Sequence, residues 1–352
     1  MNAYAAYADG IRVVDVDTGR VTTRLDGRRV ECVAVHREVP ERVFAGTFDA
    51  GLFRSVDAGE PFERIAPDTL GPGGTGPDAV TALATSPHDP AVAWVGTEPS
   101  RLYRTADGGE SIERVVGLPD VHSASEWSFP PRPDTHHVRW IEACPDDPDR
   151  WYVGIEAGAL VVTPDGGETW TDRPPGSRRD THTIATHPDA PDRVYVAAGD
   201  GYAESDDRGR SFEVAESGLD HGYVWGLAVD PGDPGRVLVS AASGANDAHR
   251  RGEAYLYRRR VDGDGGAGDA GADGKGMDGD GPGRTATWER LDDRGVPTGE
   301  GTYRAVLASG TERGELWALT DRGLFRTTDG GDRFERVPVD LPEAVPRALA
   351  VA

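Results

Sequence analysis

The chain has 352 residues, with 61 Asp or Glu against 38 Lys or Arg, a formal net charge of −23 and a hydrophobic content of 37%. So acidic a chain excludes nucleic acid as an expected partner, because phosphate backbones are bound by basic surfaces. No apolar run reaches the length a membrane-spanning helix needs, so no membrane partner is expected either.

Lys275 is the only lysine, and every other basic residue is arginine. Acidic excess with scarce lysine is the composition expected of a halophilic protein, since high net charge preserves solubility in strong salt. The first seven residues lack the basic start and apolar core of a signal peptide, which gives a cytoplasmic expectation. Cys32 and Cys144, the only cysteines, fall at the inner strands of different repeats and are expected as buried free thiols.

In chain order, residues 4–7, 11–14 and 21–24 read as three short strands with no partner strand ahead of them. From Val30 onward one unit recurs: an inner strand, a Pro/Asp turn, a second strand, a short loop, a third strand, a tight turn and a fourth strand. In the second unit these strands are residues 80–85, 93–96, 102–104 and 112–115, and Ser86-Pro87-His88-Asp89-Pro90 is the turn. Aligned on the inner strand, Val33, Leu83, Ile141, Ile184, Leu227, Val306 and Leu349 form one column, each expected to be buried between neighbouring units. The run carrying Leu349, residues 346–351, has an inner strand and nothing after it. Joined to the three N-terminal strands it completes a seventh unit and removes two open sheet edges. The expected fold is therefore all-β: one domain over residues 1–352, a seven-bladed β-propeller of four-stranded blades closed by its N- and C-terminal strands.

The fifth unit departs from the pattern. Its third and fourth strands are separated by residues 261–287, almost all Gly, Asp and Ala, which read as a disordered insertion. Asp262-Gly263-Asp264 and Asp278-Gly279-Asp280 hint at calcium but lack the spacing and terminal Glu of an EF-hand loop.

The tight turns carry the strongest signature. Thr163-Pro164-Asp165-Gly166-Gly167-Glu168-Thr169-Trp170 has counterparts starting at Ser55, Thr105, Ser205 and Thr327. In each, the Asp can accept hydrogen bonds from the N–H groups ahead of it, and a large apolar residue or isoleucine follows. This pattern, S/T-x-D-x-G-x-T/S-W/F, resembles the Asp-box or BNR repeat of sialidases, sortilin-type receptors, some endoglucanases and photosystem assembly factors. The resemblance spans nearly the whole chain. It implies a β-propeller with the boxes in a structural role on the rim of the bottom face. It does not imply one function, since that family holds both enzymes and binding proteins.

Propeller ligands bind the opposite, top face, built from loops entering the inner strands and loops between second and third strands. The longest such loop, residues 121–137, carries Trp127, His136 and His137 and leads into Arg139. Neighbouring loops supply Glu98, Glu156, Asp180, His182, Asp200 and Tyr223. Two positions ahead of the buried column stand Glu31, Thr81, Arg139, His182, Trp225, Arg304 and Arg347, a ring at the channel mouth. Three arginines in that ring suit a carboxylate or phosphate, such as that of a sugar acid.

Three readings follow. The first is a binding propeller that takes a small-molecule or glycan ligand, or a protein partner, through Trp127, His136, His137, Arg139, His182, Asp200, Tyr223, Arg304 and Arg347. The second is a glycosidase-like hydrolase using Glu156 with Glu98 or Asp180, although the sialidase Arg-Ile-Pro segment is absent. The third is a metal-dependent hydrolase with His136, His182 and Glu156 or Asp180 as ligands. The first is preferred, as a monomer with no cofactor or metal assigned.

Overall fold

A computed structural model describes residues 1–261 and 286–352. Seven antiparallel sheets follow one another along the chain. Blade one runs Val30–His36, Val39–Thr47, Gly51–Ser55, Glu63–Ile65, and blade two Ala79–Thr85, Ala93–Glu98, Leu102–Thr105, Glu113–Val115. Blades three, four, five and six begin with inner strands Val138–Ala143, Thr181–Thr186, Tyr223–Asp230 and Val306–Ser309. In blade seven the C-terminal strand Ala348–Val351 pairs with Asn2–Tyr7, followed by Gly10–Asp15 and Arg20–Arg24. Both termini thus build the closing blade, as the sequence pattern requires.

Blade five carries one addition, a two-residue strand Gly299–Glu300 on its third strand, Glu253–Val261. Its fourth strand is Ala286–Arg290. The expected insertion and its calcium hint lie outside the described residues, apart from its ends: Val261 closes the third strand, and Ala286 and Thr287 open the fourth. No helix of the described residues is long and apolar enough to cross a membrane.

Core side chains fill the wedges between blades. Trp94 of blade two stacks on Trp151 of blade three at 4.8 Å, with Ile141, Val153 and Trp127 around them. Trp317 and Leu319 of blade six meet Leu349, Val351 and Val14 of blade seven. Each such side chain contributes about 1.5–3 kcal/mol on leaving water. Close blade contact is permitted by glycine in the second strand: a Cβ on Gly96 would lie 2.5 Å from Val138 of the next blade.

The five tight turns join third to fourth strands and are self-bonded. In the blade-three turn the Asp165 carboxylate accepts from the Thr163 hydroxyl, the Thr169 N–H and the Thr169 hydroxyl. The Thr163 hydroxyl in turn accepts from the Gly167 N–H. Gly167 has φ +96°, and a Cβ there would lie 2.3 Å from Val115 of the preceding blade. Trp170 stands one residue before the short strand Thr171–Asp172 and meets Trp94 edge-on at 6.4 Å.

The expected buried column needs two corrections. In blade six Leu307, not Val306, pairs at the equivalent level, opposite Ala318. Val33, Leu83 and Val306 are only partly buried, because this column also lines the central channel, where a cavity of about 150 Å³ remains. Cys32 and Cys144 are both free and buried; Cys144 lies one residue past its strand.

Candidate functional site

In five blades the inner strand holds one residue more than the second strand it pairs with. The register slips between Val30 and Cys32, Val80 and Ala82, Val138 and Trp140, Thr181 and Thr183, and Val224 and Gly226. The extra residues are Glu31, Thr81, Arg139, His182 and Trp225. A bulge removes its residue from the ladder and re-aims the side chain. Glu31, Thr81, Arg139 and Trp225 accordingly line a cavity of about 450 Å³ at the mouth of the channel, together with Arg304 and Arg347.

Trp225 is the centre of this floor. The guanidinium carbons of Arg304 and Arg139 lie 4.1 and 4.7 Å from its ring, and the rings of His182 and His249 at 4.4 and 4.7 Å. Arg347 pairs with Glu31 at 3.1 Å. Arg304 is only 6% exposed and forms no ion pair among the described residues. One of its nitrogens donates to the Pro346 carbonyl at 3.3 Å, and its Nε has no partner. Burial first, then repulsion from Arg139 and Arg347, pulls its pKa down to about 9.

A second cluster forms one wall. The Nε2–H of His137 donates to Glu156 Oε2 at 2.8 Å, and its Nδ1 lies 3.7 Å from Glu98. Arg139 Nε is 3.6 Å from the same Glu156 oxygen. Burial opposes the charge on Glu156, but the His137 hydrogen bond and the positive charge nearby, that of Arg139 included, outweigh it and hold the carboxyl at about 2. Glu98 accepts two hydrogen bonds from Arg132, at 2.9 and 2.5 Å. Burial raises the pKa of Asp180 and lowers that of fully buried His182.

The rim continues with the turn at residues 129–132. Phe129, Pro130 and Pro131 line the cavity there. Arg132 lies between the rings of Phe129 and Phe48, at 4.7 and 5.1 Å. Opposite stands a single π-helical turn, Asp247–Arg251, from which His249 accepts from or donates to the Tyr223 hydroxyl at 2.8 Å.

Of the residues singled out from the sequence, His137, Arg139, Glu156, Asp180, Tyr223, Arg304 and Arg347 line one cavity. Glu98 and His182 stand directly behind it, touching His137 and Glu156. Three others do not line it. Trp127 is buried in the wedge between blades two and three, its Nε1–H on the Ser123 hydroxyl. His136 sits edge-on to Trp127 at 5.5 Å. Asp200 caps the turn into blade four by accepting from the N–H groups of Arg179 and Asp180.

Sequence reasoning missed Arg29, Phe48, Asn246, His249 and Arg250, all of which line the cavity. A signal existed for the last three. The blade-five loop between Ala242 and Glu253 is much longer than its counterpart between Thr47 and Gly51, and long loops concentrate function.

No protein-family model matches the chain, and no curated protein matches it. Solved structures do match in fold. A GH74 enzyme from Niastella koreensis superposes with a TM-score of 0.65 at 14% identity, covering 94% of this chain and 50% of that one. The GH74 xyloglucanase from Xanthomonas campestris gives 0.65 at 20% identity, covering 98% and 52%. YCF48 bound to a D1 peptide gives 0.55 at 15% identity, covering 88% and 82%. The chain therefore spans about half the length of the GH74 enzymes it resembles, and at these identities the likeness is one of fold.

Proposed function

We propose that this protein is a ligand-binding propeller whose top-face cavity takes up a small molecule by a carboxylate or phosphate group, a sugar acid being one such ligand. The observation that carries this reading is Arg304: a guanidinium at 6% exposure, flanked by two further arginines and paired with no carboxylate among the described residues. A buried charge is costly unless compensated. An anion in the cavity supplies the compensation, and the planar fork of arginine suits carboxylate and phosphate.

The carboxylates favour binding over hydrolysis. Glu98 is engaged by both ends of Arg132, and Glu156 by His137. Neither is a free acid or base. One solved neighbour holds a peptide and another is a xyloglucanase, so peptide carboxylates and glycans belong in the ligand panel.

Calorimetric titration at constant ionic strength tests the reading, with glucuronate, short peptides, phosphate esters and a neutral sugar as probes. Acidic compounds should bind, and Arg139→Ala should weaken them about 10–100-fold, the loss expected for a charge-assisted hydrogen bond. A folded wild-type protein that binds no carboxylate or phosphate compound would sink the proposal.

A further inference from the structure

We infer that Glu156, Asp180 and His182 form a site for one divalent transition-metal cation, opening onto the top-face cavity. One donor atom from each of the three residues lies within 4.8 Å of the other two. His182 Nε2 is 3.9 Å from Glu156 Oε1 and 3.8 Å from Asp180 Oδ1.

Each residue is anchored and still presents a donor to the common point. Glu156 Oε2 is held by His137, which leaves Oε1 free. The Ala157 N–H fixes Asp180 through Oδ1. His182 Nδ1–H donates to the Val224 carbonyl at 2.8 Å, so Nε2 carries the lone pair. Partners of this kind, a carbonyl behind the imidazole and a hydrogen bond behind the carboxylate, are what orient metal ligands.

The independent observation is His182 itself. The side chain is fully buried, and its Nε2 lone pair faces two carboxylates. Among the described residues the Tyr223 hydroxyl is the one hydrogen-bond partner of Nε2, at a long 3.5 Å, and that hydroxyl also bonds His249 at 2.8 Å. Three donors bearing lone pairs converge on one point beside the cavity, and a cation there satisfies all three at once.

Ligand bonds of about 2.0–2.2 Å require the donors to close in by several tenths of an ångström, a movement that side-chain rotation supplies. One imidazole with two carboxylates suits Zn²⁺, Mn²⁺, Fe²⁺ or Co²⁺ better than Mg²⁺ or Ca²⁺, which prefer oxygen alone. Arg139 opposes the ion but lies against the far oxygen of Glu156. Asp180 borders the cavity, so coordination positions remain open on that side. The site stands or falls apart from the anion reading, because none of its ligands is an arginine.

The test uses the untagged full chain, stripped with chelator and held at constant KCl with excess Mg²⁺ to occupy the acidic surface. Co²⁺ is titrated by visible absorbance and Zn²⁺ by calorimetry. One equivalent should bind, with a Co²⁺ band typical of nitrogen and oxygen ligands. Asp180→Asn, at a one-third exposed position, should weaken both ions at least tenfold while melting normally. Glu156→Gln should do the same. Absence of saturable one-equivalent binding, or wild-type affinity in both variants, would overturn the inference.

Discussion

The Arg304 guanidinium lies 4.1 Å above the Trp225 ring and has no carboxylate partner among the described residues. Two effects compete there. Depression of its pKa from the ordinary arginine range to about 9 corresponds to roughly 5 kcal/mol against the charged form. The cation–π contact returns about 2 kcal/mol in a desolvated site. Burial and repulsion therefore win. Arg304→Met should stabilise the ligand-free protein by about 1–3 kcal/mol at pH 7 and abolish anion binding. The pH sign also follows. Above about pH 9 the unfolded chain holds this proton more tightly than the fold does, so wild-type stability gains with rising pH there. The Met variant should lose that gain. Denaturant melts at pH 7 and above pH 9, with an anion titration, measure all three.

The ring was legible because its signals are local. Five tight turns with Asp and Gly at fixed places, and inner strands a blade apart, announce the repeat wherever they occur. The incomplete units at the two ends could only be completed by joining them. The site was legible in part, because bulged residues fall at one register relative to the column: Glu31, Thr81, Arg139, His182 and Trp225 all stand two residues ahead of it. Val306 is one residue out of step, since Leu307 is the residue that pairs with Ala318. Loop conformation was not legible. Nothing in residues 121–137 says that Trp127 turns into the core while His137 turns to Glu156. The blade-five turn that brings His249 over Tyr223 was equally hidden, since its partner is 26 residues away.

Glu142, in the inner strand of blade three, offers a pH test. Burial raises its carboxyl from 4.5 to about 7, against the hydrogen bonds from Thr186 and Trp140. A raised carboxylate pKa means the fold holds a proton that the unfolded chain has released. Stability should therefore fall as pH rises from 4.5 to about 7, by no more than about 3 kcal/mol. Glu142→Gln keeps an acceptor for Thr186 and removes the charge. The variant should show a flat profile over that window and exceed wild type at pH 8. Equal slopes for the two proteins would show that Glu142 titrates as an exposed group.

The tight turns supply their own internal control. Asp165 accepts three hydrogen bonds, one of them from the Thr169 N–H. In the blade-one turn the residue at that place is Pro61, which has no N–H to give. The Ser55 hydroxyl still accepts from the Gly59 N–H at 3.0 Å, but among the described residues no hydrogen bond reaches the Asp57 carboxylate. Asp165→Ala should then cost about 1–2 kcal/mol, since each net hydrogen bond is worth about 0.5–1.5 kcal/mol and these are partly exposed. Asp57→Ala, at the matching place in the blade-one turn, should stay within about 0.5 kcal/mol of wild type. Parallel thermal melts decide between two accounts of the repeated aspartate. If the two substitutions cost the same, its value lies in backbone conformation. If only Asp165→Ala costs stability, its value lies in the bonds that the carboxylate accepts.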